Sequence, residues 1–185
     1  MTDVDQNVDV VTVIRQQHEQ VRGLVKTIKE APAGDRKEPF QSLVRMLAVH
    51  ETAEEMTVYP ALRKMGDAAS QVADARTHEE DEAKKALARL EGLDCSSSEF
   101  EQAFLAFSAD ADRHASSEEA EVLPLLMQSD ENGRRQMAHA FLLAEKMAPT
   151  HAHRAAPESA VGNLLVGPFV AMVDKVRDAI RNARN

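Results

Sequence analysis

Two stretches of this chain use the same words. His50-Glu51-Thr52-Ala53-Glu54-Glu55 runs on to Val58-Tyr59-Pro60, and His114-Ala115-Ser116-Ser117-Glu118-Glu119 runs on to Val122-Leu123-Pro124. A His and a Glu four residues apart share a helix face, separated by about 40° around the axis. Two such faces turned towards each other make a mixed imidazole and carboxylate site. That chemistry suits a pair of redox metal ions.

Two more histidines belong with them. His18, His50, His78 and His114 each fall on a different long helical segment. Imidazole and carboxylate without thiolate suit iron, manganese or zinc. Six donors are too many for one structural zinc, which takes four. Two six-coordinate ions offer about twelve positions in octahedral geometry. Four imidazoles fill four of these, and Glu54 and Glu118 fill four more if both bridge. An oxo or hydroxo bridge fills two, and about two remain for solvent or a small oxidant.

The elements that must carry these groups are helices. Apolar residues at helical spacing predict a first helix over about 8–30, with His18 near its stripe. A second starts near Pro39, carries His50 and Glu54, and meets Pro60, which kinks it or ends its regular part. A third covers about 68–90 and holds His78. A fourth opens at Ser96, whose spacing to Glu99 is that of a capping box, and runs to Pro124. A shorter helix over about 131–147 follows, and the last is expected over about 160–181. The predicted fold is all-α, an up-down-up-down four-helix bundle with additional C-terminal helices. The bundle, its trailing short helix and a loop span 8–155, and a C-terminal helical extension spans 156–185.

Composition agrees. The 185 residues hold 43% hydrophobic and 29% charged residues, no Trp, one Tyr and seven Gly. The net charge of −9 speaks against a nucleic-acid partner, whose binding face is basic. Residues 160–185 carry +2, so the remainder carries −11. Cys95 is the single cysteine, so neither an internal disulfide nor a thiolate cluster is expected. The acidic N-terminus has no signal-peptide pattern, and no run approaches the ~20 apolar residues of a membrane span. A cytoplasmic protein is the simplest expectation.

The ordered set His18, His50-x-x-x-Glu54, His78 and His114-x-x-x-Glu118 resembles the hemerythrin-like, cation-binding HHE domain family, over roughly residues 8–155. The resemblance implies a four-helix bundle around a non-haem di-iron centre, with two iron ions joined by an oxo or hydroxo bridge. It implies His18, His50, His78 and His114 as terminal ligands and Glu54 and Glu118 as bridges. Such proteins bind or reduce O2, hydrogen peroxide or nitric oxide, which suggests oxidative or nitrosative stress and catalase- or peroxidase-like turnover. The alternative is an iron, oxygen or redox sensor, or an iron-binding protein, acting through a partner. Oxygen-carrying hemerythrins place a His-x-x-x-His pair on the third helix. Here Glu82 follows His78 by four and Asp74 precedes it by four, so one iron position is open or taken by a carboxylate.

Other residues near these six carry chemistry of their own. Glu51, matched by Ala115 in the second copy, and Glu82 are candidate extra ligands. Tyr59 points about 180° from His50 in a straight helix, which favours core packing; a kink at Pro60 would re-aim it. Glu55 and Glu119 read as surface groups or as outer carboxylates that hold an imidazole. His139, His151 and His153 read as non-ligands. Glu79-Glu80-Asp81-Glu82 reads as a solvated acidic face, and Phe40, Phe100, Phe104 and Phe107 as bundle core. The apolar and basic C-terminal helix reads as a docked or homodimerising element, ahead of a membrane contact.

Overall fold

The computed structural model describes residues 8–148, and all regular structure among them is helical. Helix α1 is Val10–Glu30 and α2 is Lys37–Ala53. A π-helical turn, Glu54–Val58, joins α2 to α3, Tyr59–Leu62. Helix α4 is Asp67–Glu91 and α5 is Ser98–Ser117. A second π-helical turn, Glu118–Val122, joins α5 to α6, Leu123–Leu126, and α7 is Glu131–Glu145. The expected C-terminal helix, His151 and His153 lie outside the described residues.

Local chemistry sets these boundaries. Asp9 caps α1 by accepting the Val11 N–H at 2.9 Å, and Arg134 holds its other oxygen at 2.6 Å. Gly66 takes φ 110 between α3 and α4, a conformation that favours glycine. The cap of α5 is Ser97, which accepts the Phe100 N–H at 3.0 Å. The expected cap, Ser96, instead bonds Asp94.

Helices α1 and α2, α3 and α4, α4 and α5, and α5 and α1 are packed neighbours, which closes a four-membered bundle. The two copies of the repeated phrase therefore stand diagonally opposed. Helix α7 covers α1, α2 and the first π turn, with its own Phe141 fully buried.

The core is split in two. One apolar cluster gathers Ile14, Val58, Leu62, Ala73, Val122 and Leu126. The other gathers Val21, Phe40, Leu47, Leu87, Phe104 and Phe107. Along every long helix the chain passes from one cluster to the other across a few polar residues: His18 on α1, His50 on α2 with Glu54 opening the π turn after it, Arg76 and Glu80 on α4, and His114 on α5 with Glu118 opening the second π turn. These form a single polar belt between apolar layers. Each layer excludes water, so the belt must satisfy its own charges.

The two π turns have a common cause and a common effect. Pro60 and Pro124 lack an N–H, and a proline ring clashes with the carbonyl four residues earlier. Widening the turn to i→i+5 bonding removes that clash; Tyr59 N–H reaches Glu54 O, and Leu123 N–H reaches Glu118 O. A π turn holds one extra residue, so everything after it is rotated by about 100° relative to an unbroken helix. Tyr59 thereby moves from opposite His50 to about 40° from Glu54, on the inward face.

Candidate metal centre

Five of the six residues expected at the site come together. His18, His50, Glu54 and Glu118 place one donor atom each within 4.8 Å of one another. Glu54, Glu80, His114 and Glu118 do the same. The two groups share Glu54 and Glu118, so the geometry is that of two cation sites side by side with two carboxylates common to both.

His78 does not join them. It is exposed, while Glu80 on the same helix is fully buried and takes the inward place. The reason is register. The buried residues of α4 are Ala69, Ala73, Arg76, Glu80, Leu87 and Leu90, a stripe at helical spacing. His78 lies about 200° from Glu80 around the axis and falls off that stripe. The acidic run 79–82 is accordingly not one solvated face. Glu82 is exposed and pairs with Lys85 at 2.7 Å, outside both groups. Glu51 is buried but lies outside both groups as well.

Each imidazole of the belt is held from outside through Nδ1. His18 Nδ1–H donates to Glu119 at 2.9 Å, and Arg22 holds the same oxygen at 2.9 Å. His114 Nδ1–H donates to Glu79 at 2.9 Å, and Arg76 holds Glu79 at 2.8 Å. His50 Nδ1–H donates to the Gln17 amide oxygen at 2.7 Å, and the Gln17 amide nitrogen donates to Glu145 of α7. Such outer partners fix the tautomer and leave Nε2 as the ligating nitrogen. Accordingly, Nε2 of His18 and of His114 face Glu118 at 3.2 Å and 3.5 Å, and Nε2 of His50 faces Glu54 at 3.2 Å.

A lone pair facing a carboxylate oxygen needs a cation or a proton between them. Both oxygens of Glu54, Oε2 of Glu80 and Nε2 of His114 are buried without a hydrogen-bond partner. An orphaned buried polar atom is costly. Several orphans pointing at one another are what a metal pair would satisfy, so the donor set fits two cations.

The protonation pattern in the absence of metal shows the same tension. Burial, then the neighbouring carboxylates Glu118, Glu80 and Glu51, push Glu54 well above the carboxylate range. Burial and Glu51 do the same to Glu80. Burial also acts upward on Glu118, but the His18 hydrogen bond and the nearby imidazoles outweigh it and bring that group to about 2. Burial lowers His50 to about 3. Glu51 is pushed up to about 8 by burial, against the pull of Lys84. The Lys84 ammonium faces Glu51 at 3.9 Å and Glu80 at 3.7 Å and pairs with Glu55.

Tyr59 reaches the centre. Its hydroxyl, fully buried, touches Glu118 Oε1 at 2.7 Å and bonds Glu80 Oε1. One phenolic proton serves one acceptor at a time, so the proton that burial keeps on Glu80 closes the other contact. The π turn delivers this residue; the second copy delivers Leu123, which is apolar core.

The outer anchors Gln17, Arg22, Arg76 and Glu145 have no counterpart in the sequence reading, and Glu80, read there as part of a solvated acidic face, is fully buried. The α4 stripe carries a signal for Glu80 and Arg76, because both interrupt apolar positions at the same spacing. Glu119 is the outer carboxylate that the sequence suggested, whereas Glu55 pairs with Lys84. His139 is exposed, away from the belt. Among the described residues, no helix is long and apolar enough to cross a membrane.

Comparison with known proteins points the same way. The description "Hemerythrin HHE cation binding domain" matches residues 9–126. An uncharacterised hemerythrin-like protein of Schizosaccharomyces pombe is 29% identical over 164 residues, covering 87% of this chain and 81% of that protein. The crystal structure of a hemerythrin HHE cation binding domain-containing protein from Mycobacterium kansasii superposes with a TM-score of 0.68 at 22% identity, covering 76% of this chain and 86% of the other.

Proposed function

Because the chain belongs to the hemerythrin HHE cation-binding domain family, we propose that it binds two iron ions and uses them to reduce a small oxidant, a peroxide foremost. The observation that carries the reading is the pair of four-donor groups that share Glu54 and Glu118. In this reading His18 and His50 complete one site, and His114 and Glu80 complete the other. Glu54 and Glu118 span both, and Glu80 takes the role expected of His78.

The iron pair, when bound, supplies two electrons. The chain supplies the rest. Its outer hydrogen bonds to Nδ1 aim three imidazoles and keep each in one tautomer. Its packing leaves the carboxylates Glu54, Glu80 and Glu118 fully buried. The second site is richer in oxygen donors than the first, and anionic oxygens favour the more highly charged ferric ion. That asymmetry favours reduction of an oxidant over reversible oxygen carriage. Tyr59 stands at this oxygen-rich side, either donating its proton to a carboxylate or binding as phenolate. A role in oxidative or nitrosative stress follows from that chemistry, and dioxygen and nitric oxide are the competing oxidants.

The test is iron content and single-turnover kinetics. Anaerobic reconstitution should load close to two irons per chain, and the reduced protein should be oxidised by peroxide within the mixing time of a stopped-flow instrument or shortly after. Less than half an iron per chain would sink the proposal. So would peroxide turnover that persists in a Glu54→Ala, Glu118→Ala double variant.

A further inference from the structure

A pocket of about 450 Å³ lies above the belt, between α1, α2, α4 and α5. Its lining grades from buried to exposed. The rings of His18, His50 and His114 form its inner end. Val21, Leu47, Ala83, Ala86, Phe107 and Ala111 form apolar walls. The rim is charged and exposed.

This space is large for a diatomic gas or hydrogen peroxide. A water molecule takes up about 30 Å³, and hydrogen peroxide, dioxygen and nitric oxide are little larger. The pocket could hold many of them at once. Its volume and apolar walls are those of an organic-ligand site, where pockets of ~300–1,000 Å³ are typical. A phenyl-sized group needs a cavity of about 150 Å³.

The rim mixes both signs: Lys85, Arg89 and Arg113 stand among Glu79, Glu82 and Asp110, with His78 beside them and Glu51 buried further in. Lys85 pairs with Glu82 and Arg113 with Asp110, while Glu79 is committed to Arg76 and His114. Among the described residues Arg89 is left as a single cation, so the entrance carries no field of one sign, and the apolar walls are what a ligand has to satisfy.

We propose that the pocket binds a compact organic hydroperoxide, its carbon portion against Leu47, Phe107 and Ala111 and its peroxide end towards the imidazoles. This rests on the peroxide-reducing reading above and narrows it to a substrate class. The O–O bond breaks, one oxygen leaves as the alcohol and the other as water. Two protons come from solvent, and two electrons come from the two ferrous ions, which become ferric. Hydrogen peroxide is then a smaller competitor that leaves most of the pocket to water.

Two measurements on the purified full chain test this, one of them independent of turnover. The product alcohol of cumene hydroperoxide, 2-phenyl-2-propanol, is titrated into the iron-free protein and followed by methyl NMR. It should shift resonances of Leu47 and Val21, and Ala111→Phe or Ala86→Leu should weaken binding at least tenfold. Stopped-flow oxidation of the reduced, iron-loaded protein is then compared for cumene hydroperoxide and hydrogen peroxide. In either variant the ratio of the two rate constants, organic over inorganic, should fall at least tenfold. Circular dichroism and iron content identify a variant that has failed to fold, which is why two are used. An unchanged ratio, or alcohol that binds wild type and variants alike, overturns the proposal. If neither peroxide oxidises the iron, the functional reading fails, and the alcohol titration still decides whether the pocket takes an organic group.

Discussion

Replacing Tyr59 by Phe removes one oxygen atom from the most crowded part of the belt. The ring stays, so the packing against Val58 and Leu62 is preserved and no ring-sized cavity opens. What is lost is a contact with Glu118 at 2.7 Å and a bond with Glu80, both fully buried. A hydrogen bond to an ionised acceptor contributes about 1.5–3 kcal/mol, and a neutral one about 1 kcal/mol. Glu118 is the ionised member and Glu80 the protonated one, so the metal-free protein should lose about 3 kcal/mol. For a domain of this size that is a fall in Tm of roughly 6–12 °C. The assay is thermal unfolding of chelator-treated wild type and variant, followed by circular dichroism at one pH. A shift below about 2 °C would refute the placement of the hydroxyl. The iron-loaded proteins give a second readout. The chain has one Tyr and no Trp, so any phenolate-to-iron band arises from Tyr59 alone. If Tyr59 ligates, the wild type shows a long-wavelength band that the variant lacks; identical spectra leave it as a proton donor to the carboxylates.

Exchange of Glu80 for Gln should reduce iron content from two per chain towards one, whereas His78→Gln should leave it unchanged; the opposite result would restore His78 and refute the α4 register. Glu79→Gln and Glu119→Gln should each weaken metal affinity by about 10–100-fold, the usual effect of losing an outer partner of a ligating histidine, measured by competition with a chelator. Metal-free protein should become less stable as pH rises from 6.5 to 8. Glu51, Glu54 and Glu80 have raised folded pKa values, so their stabilisation is complete below about 4.5 and is lost as pH climbs. The loss over this window is about 2 kcal/mol for each carboxyl that stays protonated, at 1.36 kcal/mol per pH unit. His50, lowered to about 3, acts in the opposite sense only below its unfolded value near 6.5. Saturating metal should flatten the profile, because it replaces the protons; chelated protein that gains stability from pH 6.5 to 8 would refute the assignment.

The bundle was legible because its helices are long and their breaks are chemically plain. Pro32, Gly66 and Gly92 mark gaps that the structure keeps, and the spans expected within the described residues fall within a few residues of the observed ones. His18 and the two His-x-x-x-Glu pairs could be placed on their helices for the same reason, whereas the sequence left open whether the two pairs stand on neighbouring or diagonal helices. His78 is the one histidine of the third long helix and is grouped with the others on that ground, but the buried stripe of that helix runs through Arg76 and Glu80 instead. Small residues, Ala69 and Ala73, make that stripe faint. The outer anchors were hidden because Gln17 and Arg22 come from one helix and meet partners about 100 residues or more away. No local pattern encodes such a meeting. Tyr59 was undecided because its direction depends on whether one turn is α or π, a choice set by Pro60 and invisible to a fixed 100° step.

The paired π turns make the repeated phrase a matter of spelling length as well as letters. Glu54 and Tyr59 face the same way only because five steps between them are wound as four. Removing one residue from 55–58 would let the segment close as ordinary α-helix, with Tyr59 four true steps from Glu54 and still about 40° away. The ring of Pro60 would then meet the carbonyl four residues before it, so the strain falls on the proline and not on the direction of the tyrosine. Adding one residue would instead turn Tyr59 by a further 100° or so and carry it out of the belt, along with the chain leading to Leu62. The frame between His50 and Pro60 therefore tolerates the loss of a residue better than the gain of one, although two of its residues, Glu55 and Met56, are only partly covered or exposed.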